Sequence, residues 1–446
     1  MTAWSESIPP KAIEAVTLTA LARGVIAGHD RAVIFHDLQR MRARLGELAE
    51  YFPAHGLHAV AIKANPVVEI LKEAVAAGAG LEAASFEEVC IALAAGASPE
   101  RIVFDSPAKT TEELAEALAL GVIVNADNFD ELERIDALLA RTGSASLIGL
   151  RINPMVGAGS IGITSVADGG SKFGVDIDSE RDAICASFER YPWLRGLHAH
   201  IGSQGCSIDL LVAGAQRLDE LAREIDAICG EERLAFVDIG GGLSTAYDDD
   251  DTAPDIEDYA LALGETVPAL FEGRRLLITE FGRALQAGCG FALSRVEYVK
   301  RLEGTPLAVI HLGADMLMRP VYLPGQWKHR FLVLDSDGHL KTGDASPWTI
   351  AGPLCFAGDI VARETPLPPI EVGDFVVVRD IGAYTLSMWS RHCSRGMPKV
   401  LGFCGADQVR VLRRSETPAD VARFWSSGED SRTTETLAGT SNYATQ

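Results

Sequence analysis

Between residues 58 and 281 the chain repeats one pattern eight times: a short apolar, β-branched run followed by a longer stretch with apolar residues at helical spacing. The runs are His58–Ala64, Leu81–Ser85, Ile102–Ser106, Val122–Ala126, Ser146–Asn153, Leu194–Gly202, Ala235–Gly241 and Leu276–Phe281. Thr110–Leu120, Phe129–Ala140 and Asp209–Cys229 are amphipathic segments between them. Runs this continuously apolar suit strands covered on both faces, and strands joined through helices must lie parallel. Eight such units predict an α/β chain built on a closed (β/α)8 barrel rather than an open sheet.

The rest of the 446 residues reads differently. From 291 onward, β-like segments at Ser294–Arg301, Leu307–Leu312, Phe331–Leu334, Asp374–Asp380 and Gln408–Leu412 are separated by Gly and Pro turns. The expected division is a barrel over 36–290, a C-terminal β-rich domain over 291–425 that also takes in residues 1–35, and a disordered Ser/Thr/Gly-rich tail over 426–446. A net charge of −22 argues against nucleic-acid or anionic membrane partners. No apolar run is long enough to span a bilayer and no secretory signal is visible, so a cytoplasmic protein is expected. Eight scattered cysteines without a CxxC pair are expected to be reduced and buried, with no metal site. The acidic run Asp248–Asp251 reads as a solvated loop.

Barrel chemistry takes place at the C-terminal ends of the strands. Polar residues gather there: Lys63, Glu82 with Ser85, Asp105 with Ser106, Asn125, Arg151 with Asn153, His200 with Ser203, Asp238 with Gly240–Gly242, and Glu280 with Arg283. Any one of them reads equally well as a polar cap on a buried strand; together they are unusual in a barrel that only holds its shape. Lys63 lies in an apolar strand end, where desolvation lowers the pKa of an amine and suits it to attack a carbonyl. Gly240-Gly241-Gly242 follows a strand and can turn backbone N–H groups toward a phosphate; alone, such a triplet is more often a turn. Ser203, Gly282 and Tyr384 are further candidate donors. A phosphorylated aldehyde held by a lysine accounts for both features, and pyridoxal 5'-phosphate is such a cofactor.

Six motifs then fall in the order and spacing of one family: Ala61-Ile62-Lys63-Ala64-Asn65, His198-Ala199-His200-Ile201-Gly202-Ser203-Gln204, Gly240-Gly241-Gly242, Glu280-Phe281-Gly282-Arg283, Cys355-Phe356-Ala357-Gly358-Asp359 and Gly382-Ala383-Tyr384. Over about residues 30–405 the chain resembles the diaminopimelate decarboxylases, which are fold type III, alanine-racemase-like enzymes dependent on pyridoxal phosphate. The resemblance implies an amino-acid substrate and a homodimer with active sites shared across its interface. It implies Lys63 as the residue that binds the cofactor covalently and His200 as the imidazole stacked on its ring. Glu280 becomes the partner of the pyridine nitrogen. Ser203, Gly240, Gly241, Gly242, Gly282, Arg283 and Tyr384 become contacts to phosphate or substrate carboxylate. Cys355 becomes the catalytic group from the second subunit. Arg283, Arg319, Tyr322, Phe356 and Asp359 would then face substrate.

The departures concern the far end of the substrate. Relatives carry an acidic residue directly after this cysteine, where it grips the distal ammonium; here it is Phe356, which accepts no hydrogen bond. Phe281 replaces the proline of the usual Glu-Pro-Gly-Arg motif. Arg319-Pro320 is kept, but the following Leu323-Pro324-Gly325-Gln326-Trp327 displaces the usual tyrosine. The expected activity is decarboxylation of an amino acid or a derivative, with an altered distal pocket. Genuine meso-diaminopimelate decarboxylation, an amino-acid racemase and a non-catalytic cofactor-binding homologue are the alternatives. Glu280 and Cys355 disfavour the racemase, which pairs an arginine with the pyridine nitrogen and uses a tyrosine base. Retention of Lys63 and Cys355 disfavours the non-catalytic reading.

Overall fold

The computed structural model describes Trp4 and residues 7–230, 233–249, 251–302 and 304–427. The expected disordered tail, beyond Ser426 and Ser427, lies outside the described residues. The chain forms two compact units: one holds 40–246 and 251–288, the other 7–39, 247–249 and 289–427.

All eight strands read from the sequence are present in the first unit, as β1 (Leu57–Ala61), β2 (Gly80–Ala83), β3 (Ile102–Asp105), β4 (Ile123–Ala126), β5 (Ile148–Asn153), β6 (Leu194–His198), β7 (Phe236–Asp238) and β8 (Leu276–Thr279). Every neighbouring pair is parallel, in the order β4-β3-β2-β1-β8-β7-β6-β5, and a β4–β5 pairing closes the ring. The helices between them start where the sequence supplies caps. Thr110 and Glu113 form a reciprocal capping box at Thr111–Leu120, which ends on left-handed Gly121. Asn128 and Ser207 cap Phe129–Thr142 and Ile208–Cys229 through their side-chain oxygens.

Strand alternation decides what the barrel interior contains. Residues two apart on a strand share a face. One inward layer is apolar: Ala59, Val103, Ile123, Phe236 and Ile278 pack with Leu57 as a plug. Glycines make room for the Phe236 ring, since a Cβ on Gly149 or Gly196 would come within 2.7 or 2.1 Å of it. Two residues further along the same strands, or at the same level on their neighbours, stand Ala61, Glu82, Asp105, Asn125, Arg151, His198, Asp238 and Glu280. All but Ala61 are polar, and all are buried. The plug keeps water from the lower end, so this polar layer can face only inward and toward the strands' C-terminal ends.

In the second unit a six-stranded sheet runs Phe331–Leu334, Phe375–Arg379, Gly290–Arg295, Ala32–Asp37, Lys399–Cys404, Gln408–Arg413. A four-stranded sheet pairs Tyr298–Leu302, Thr305–Val309, Ser346–Ala351 and Ile360–Leu367. Helix Pro10–Ala22 buries Ile13, Val16 and Ala20 against Phe35, Phe291, Phe375 and Leu401 of the larger sheet. Four strands here go beyond those expected: Ala32–Asp37, Ser346–Ala351, Ile360–Leu367 and Lys399–Cys404. Ile360–Leu367 is mostly solvated and carries left-handed Glu364, so it shows neither alternation nor an apolar run. The single segment expected at Ser294–Arg301 is two strands, broken after Arg295.

None of the eight cysteines forms a disulfide, but only Cys185, Cys206 and Cys289 are buried; Cys90, Cys355 and Cys393 are exposed. Within the acidic run, Asp248 pairs with Lys328 at 3.1 Å and Asp249 with Arg330 at 3.6 Å. No helix among the described residues is long and apolar enough to cross a membrane.

Candidate active site

Lys63 sits just past β1, in the single 3-10 turn Ile62–Ala64. Its amine lies 2.7 Å from both carboxylate oxygens of Glu82 on β2. The Glu82 carboxylate has no solvent exposure, whereas the Lys63 side chain is 35% exposed, so the lysine reaches from a sealed anchor toward open space. Burial raises the Glu82 pKa to about 8, with the Lys63 ammonium pulling the other way. A lysine anchored so keeps its amine in one place.

His200 and Glu280 stand beside it. The Gly241 N–H donates to His200 Nδ1 at 3.1 Å, so that nitrogen carries a lone pair and the ring's proton is on Nε2. Burial, then the Lys63 charge, pushes the His200 pKa down to about 3. A neutral imidazole, free to stack on an aromatic ring, results. Glu280 is buried and neither carboxylate oxygen has a hydrogen-bond partner among the described residues. The imidazole nitrogens beside it are His198 Nε2 at 3.6 Å and His200 Nδ1 at 3.9 Å. Burial opposes its ionisation, but His198 and then Lys63 hold its pKa below the usual carboxylate range.

The glycine triplet is more committed than expected. The Gly240 N–H donates to Asp238 Oδ1 at 2.9 Å and the Gly241 N–H to His200, so two of the three amides point into the barrel. Among the described residues Gly242 alone of the three makes no such bond. What the triplet needs is closeness: a Cβ on Gly241 would stand 2.3 Å from the Glu280 carbonyl oxygen, and Gly240 and Gly242 have φ of +66° and +115°. Next to it, Arg283 Nε and Nη2 donate to Ser203 Oγ at 3.1 and 3.0 Å, which leaves the hydroxyl proton for another acceptor. Gly282 is the residue before the short helix Arg283–Gln286.

Some strand-end residues are structural. Ser85 Oγ caps helix Phe86–Ala94, Ser106 Oγ accepts from Ala108 N, and Asn153 bonds Asp168 O and Met155 N. Others turn out to act on one another. Arg151 Nη1 lies 2.7 Å from Asp105 Oδ2, and His198, to which the sequence reading gave no role, stands between Asp105 and Glu280. A signal was there in His198-x-His200, a spacing that puts two imidazoles on one face of an extended chain.

The remaining expected site residues belong to the β-rich unit. Cys355 is exposed on a tight loop. Asp359 differs from its expected place against substrate: it is buried, and its carboxylate accepts the Ala314 and Leu354 N–H groups at 2.6 and 2.8 Å. That fastens the loop carrying Cys355 and Phe356. The Phe356 ring stacks on Tyr322, itself 57% exposed, at 5.7 Å and 24°, and meets His392 edge-on at 6.4 Å. The Arg319 guanidinium lies over both Trp327 and Tyr384, 4.6 and 4.7 Å from the ring centroids. Tyr384 has a φ of 55°.

The barrel residues fit a phosphorylated pyridine aldehyde. An orphaned buried carboxylate awaits a ring N–H, a neutral imidazole offers a face, and a glycine turn, a hydroxyl and an arginine suit a phosphate. Residues 38–287 match the family model of the pyridoxal-dependent decarboxylase, pyridoxal binding domain. The chain belongs to this family of pyridoxal-phosphate-dependent carboxy-lyases. It is 29% identical over 411 residues to a diaminopimelate decarboxylase of Helicobacter pylori, covering 90% of this chain and 96% of that one. It is 33% identical over 368 residues to that of Pseudomonas aeruginosa, covering 81% and 84%. The crystal structure of an I148L mutant of the Helicobacter pylori enzyme, complexed with L-lysine, superposes with a TM-score of 0.81 at 27% identity, covering 90% of this chain and 98% of that one.

Proposed function

We propose that this decarboxylase acts on an amino acid whose distal end carries no ammonium, and that it prefers such a substrate to meso-diaminopimelate. The observation that carries the reading is Phe356: it lies beside Cys355 and stacks on Tyr322, presenting ring surface where the related enzymes have a carboxylate. An ammonium left unpaired against that wall costs on the order of several kcal/mol. The Arg319 guanidinium lies over the Trp327 and Tyr384 rings.

Pyridoxal phosphate, when bound, supplies an electron sink for the electrons released with CO2. The chain's residues prepare that step. Lys63 would hold the cofactor through its amine, which Glu82 keeps in place. Glu280 would keep a proton on the bound cofactor's ring nitrogen, and the neutral His200 ring would offer the cofactor a face. Ser203, Arg283, Gly242 and Gly282 would hold the phosphate. Cys355 of a second copy delivers a proton to the carbon that loses CO2, which makes the working form a homodimer. Eight cysteines with no disulfide among them suit a reducing cytoplasm.

Steady-state CO2 release by the holoenzyme, across amino acids with apolar, aromatic, carboxylated and aminated ends, tests this. Diaminopimelate should rank low for the natural protein and rise roughly tenfold or more relative to the others in Phe356→Glu. Diaminopimelate as the best substrate of the natural protein by a wide margin would overturn the reading of Phe356.

A further inference from the structure

Four buried side chains from four different strands alternate in charge across the polar layer: Arg151 on β5, Asp105 on β3, His198 on β6 and Glu280, one residue past β8. Arg151 Nη1 is 2.7 Å from Asp105 Oδ2; Asp105 Oδ1 is 3.8 Å from His198 Nδ1; His198 Nε2 is 3.6 Å from Glu280 Oε2. His198 thus has a carboxylate off each ring nitrogen, and neither nitrogen has a hydrogen-bond partner among the described residues. A neutral ring would set a lone pair against one of those carboxylates; a doubly protonated ring gives each a proton to face.

The surroundings favour the second arrangement. Burial alone would lower the His198 pKa, yet Asp105, Glu280 and Asp238 raise it to about 9. Asp238, on β7, is shifted as well: burial and then the Glu280 charge lift its pKa well above the carboxylate range. Of the two neighbouring acids, Glu280 keeps the charge because the imidazolium is beside it. Arg151 completes the chain by fixing Asp105, whose second oxygen is left to face His198.

We infer that His198 is a positioning residue: as an imidazolium braced by Asp105 and Arg151, it holds the Glu280 carboxylate ionised and in place, so that Glu280 can keep the ring nitrogen of bound pyridoxal phosphate protonated. The inference rests on the reading of Glu280 as that nitrogen's partner.

The test follows the nitrogen rather than the rate alone. The natural protein and His198→Gln are loaded with cofactor labelled with nitrogen-15 in the ring, and the ring resonance is followed from about pH 6 to about pH 9. In the natural protein the nitrogen should stay protonated throughout; in His198→Gln it should lose its proton within that range, and kcat should fall roughly tenfold or more with KM changed less than about threefold. A cofactor-loaded His198→Gln whose nitrogen stays protonated over the whole range overturns the inference while leaving Glu280's role intact. A nitrogen that is unprotonated in the natural protein overturns both. Should His198→Gln fail to fold, nitrogen-15 histidine spectra of the natural protein decide the matter: His198 must be doubly protonated near neutral pH, and a neutral His198 ring overturns the inference.

Discussion

Gly241→Ala would test how closely the glycine turn and Glu280 are built together. No left-handed backbone angle is needed at Gly241, so the substitution acts through space alone. The new methyl would lie 2.3 Å from the Glu280 carbonyl oxygen and 3.0 Å from its carbonyl carbon. Normal contact distances require the two backbones to part by about 1 Å. That movement stretches the 2.8 Å bond from the Glu280 N–H to Gly240 O and the 3.1 Å bond from the Gly241 N–H to His200. Overpacking of this kind costs about 1–3 kcal/mol, and a weakened hydrogen bond adds about 1 kcal/mol. Because Glu280 and His200 are both displaced, kcat should fall roughly a hundredfold, the usual penalty for an error near 1 Å among reacting groups. Urea unfolding and CO2 release measure these two consequences, and absorbance titration measures the loss of cofactor affinity expected with them. Gly264→Ala is the control: Gly264 lies in helix Ile256–Thr266, no atom stands within 4 Å of the place its methyl would take, and the change should stabilise by about 0.5–1 kcal/mol. Cofactor affinity and kcat of Gly241→Ala within about twofold of the natural protein would refute the packing argument.

Lys63→Ala should abolish the visible absorbance of the bound cofactor, and borohydride treatment of the natural protein should leave the label on the peptide holding Lys63; label on another lysine contradicts the assignment. His58, whose Nδ1 lies 2.9 Å from Thr279 Oγ1 across the β1–β8 pair, has its pKa lowered from 6.5 to about 4 by burial and then by Arg101. The fold favours its neutral form, so its contribution is full above pH 6.5 and is lost as pH falls from there toward 4. Urea unfolding of the apo-protein should therefore show His58→Gln losing less stability on acidification than the natural protein, by up to about 3 kcal/mol; equal losses would contradict the burial argument.

Periodicity along the chain specifies the barrel, and the polar residues at the strand ends are visible in it. Strands such as Ile102–Asp105 and Ile123–Ala126 are apolar over most of their length because helices cover one face and the plug or polar layer fills the other, and that periodicity is local. Lys63, His200 and Glu280 were legible because a polar residue at the end of an apolar run needs a reason. What each group faces was decided only in three dimensions. Ala32–Asp37 pairs with Gly290–Arg295 and Lys399–Cys404, partners that no nearby residue announces. Asp359 looks like a substrate contact in its motif, yet the free amides of Ala314 and Leu354 claim its carboxylate. Gly240 and Gly241 look like a phosphate cradle, yet their N–H groups bond Asp238 and His200. The charge on His198 has no local mark, because it is set by Asp105 and Glu280, residues 93 and 82 positions away that the closing of the barrel brings to its two nitrogens. Periodicity is a property of the chain and survives in the sequence; electrostatic fields and hydrogen-bond partners are properties of space, and exist only once the ring has closed.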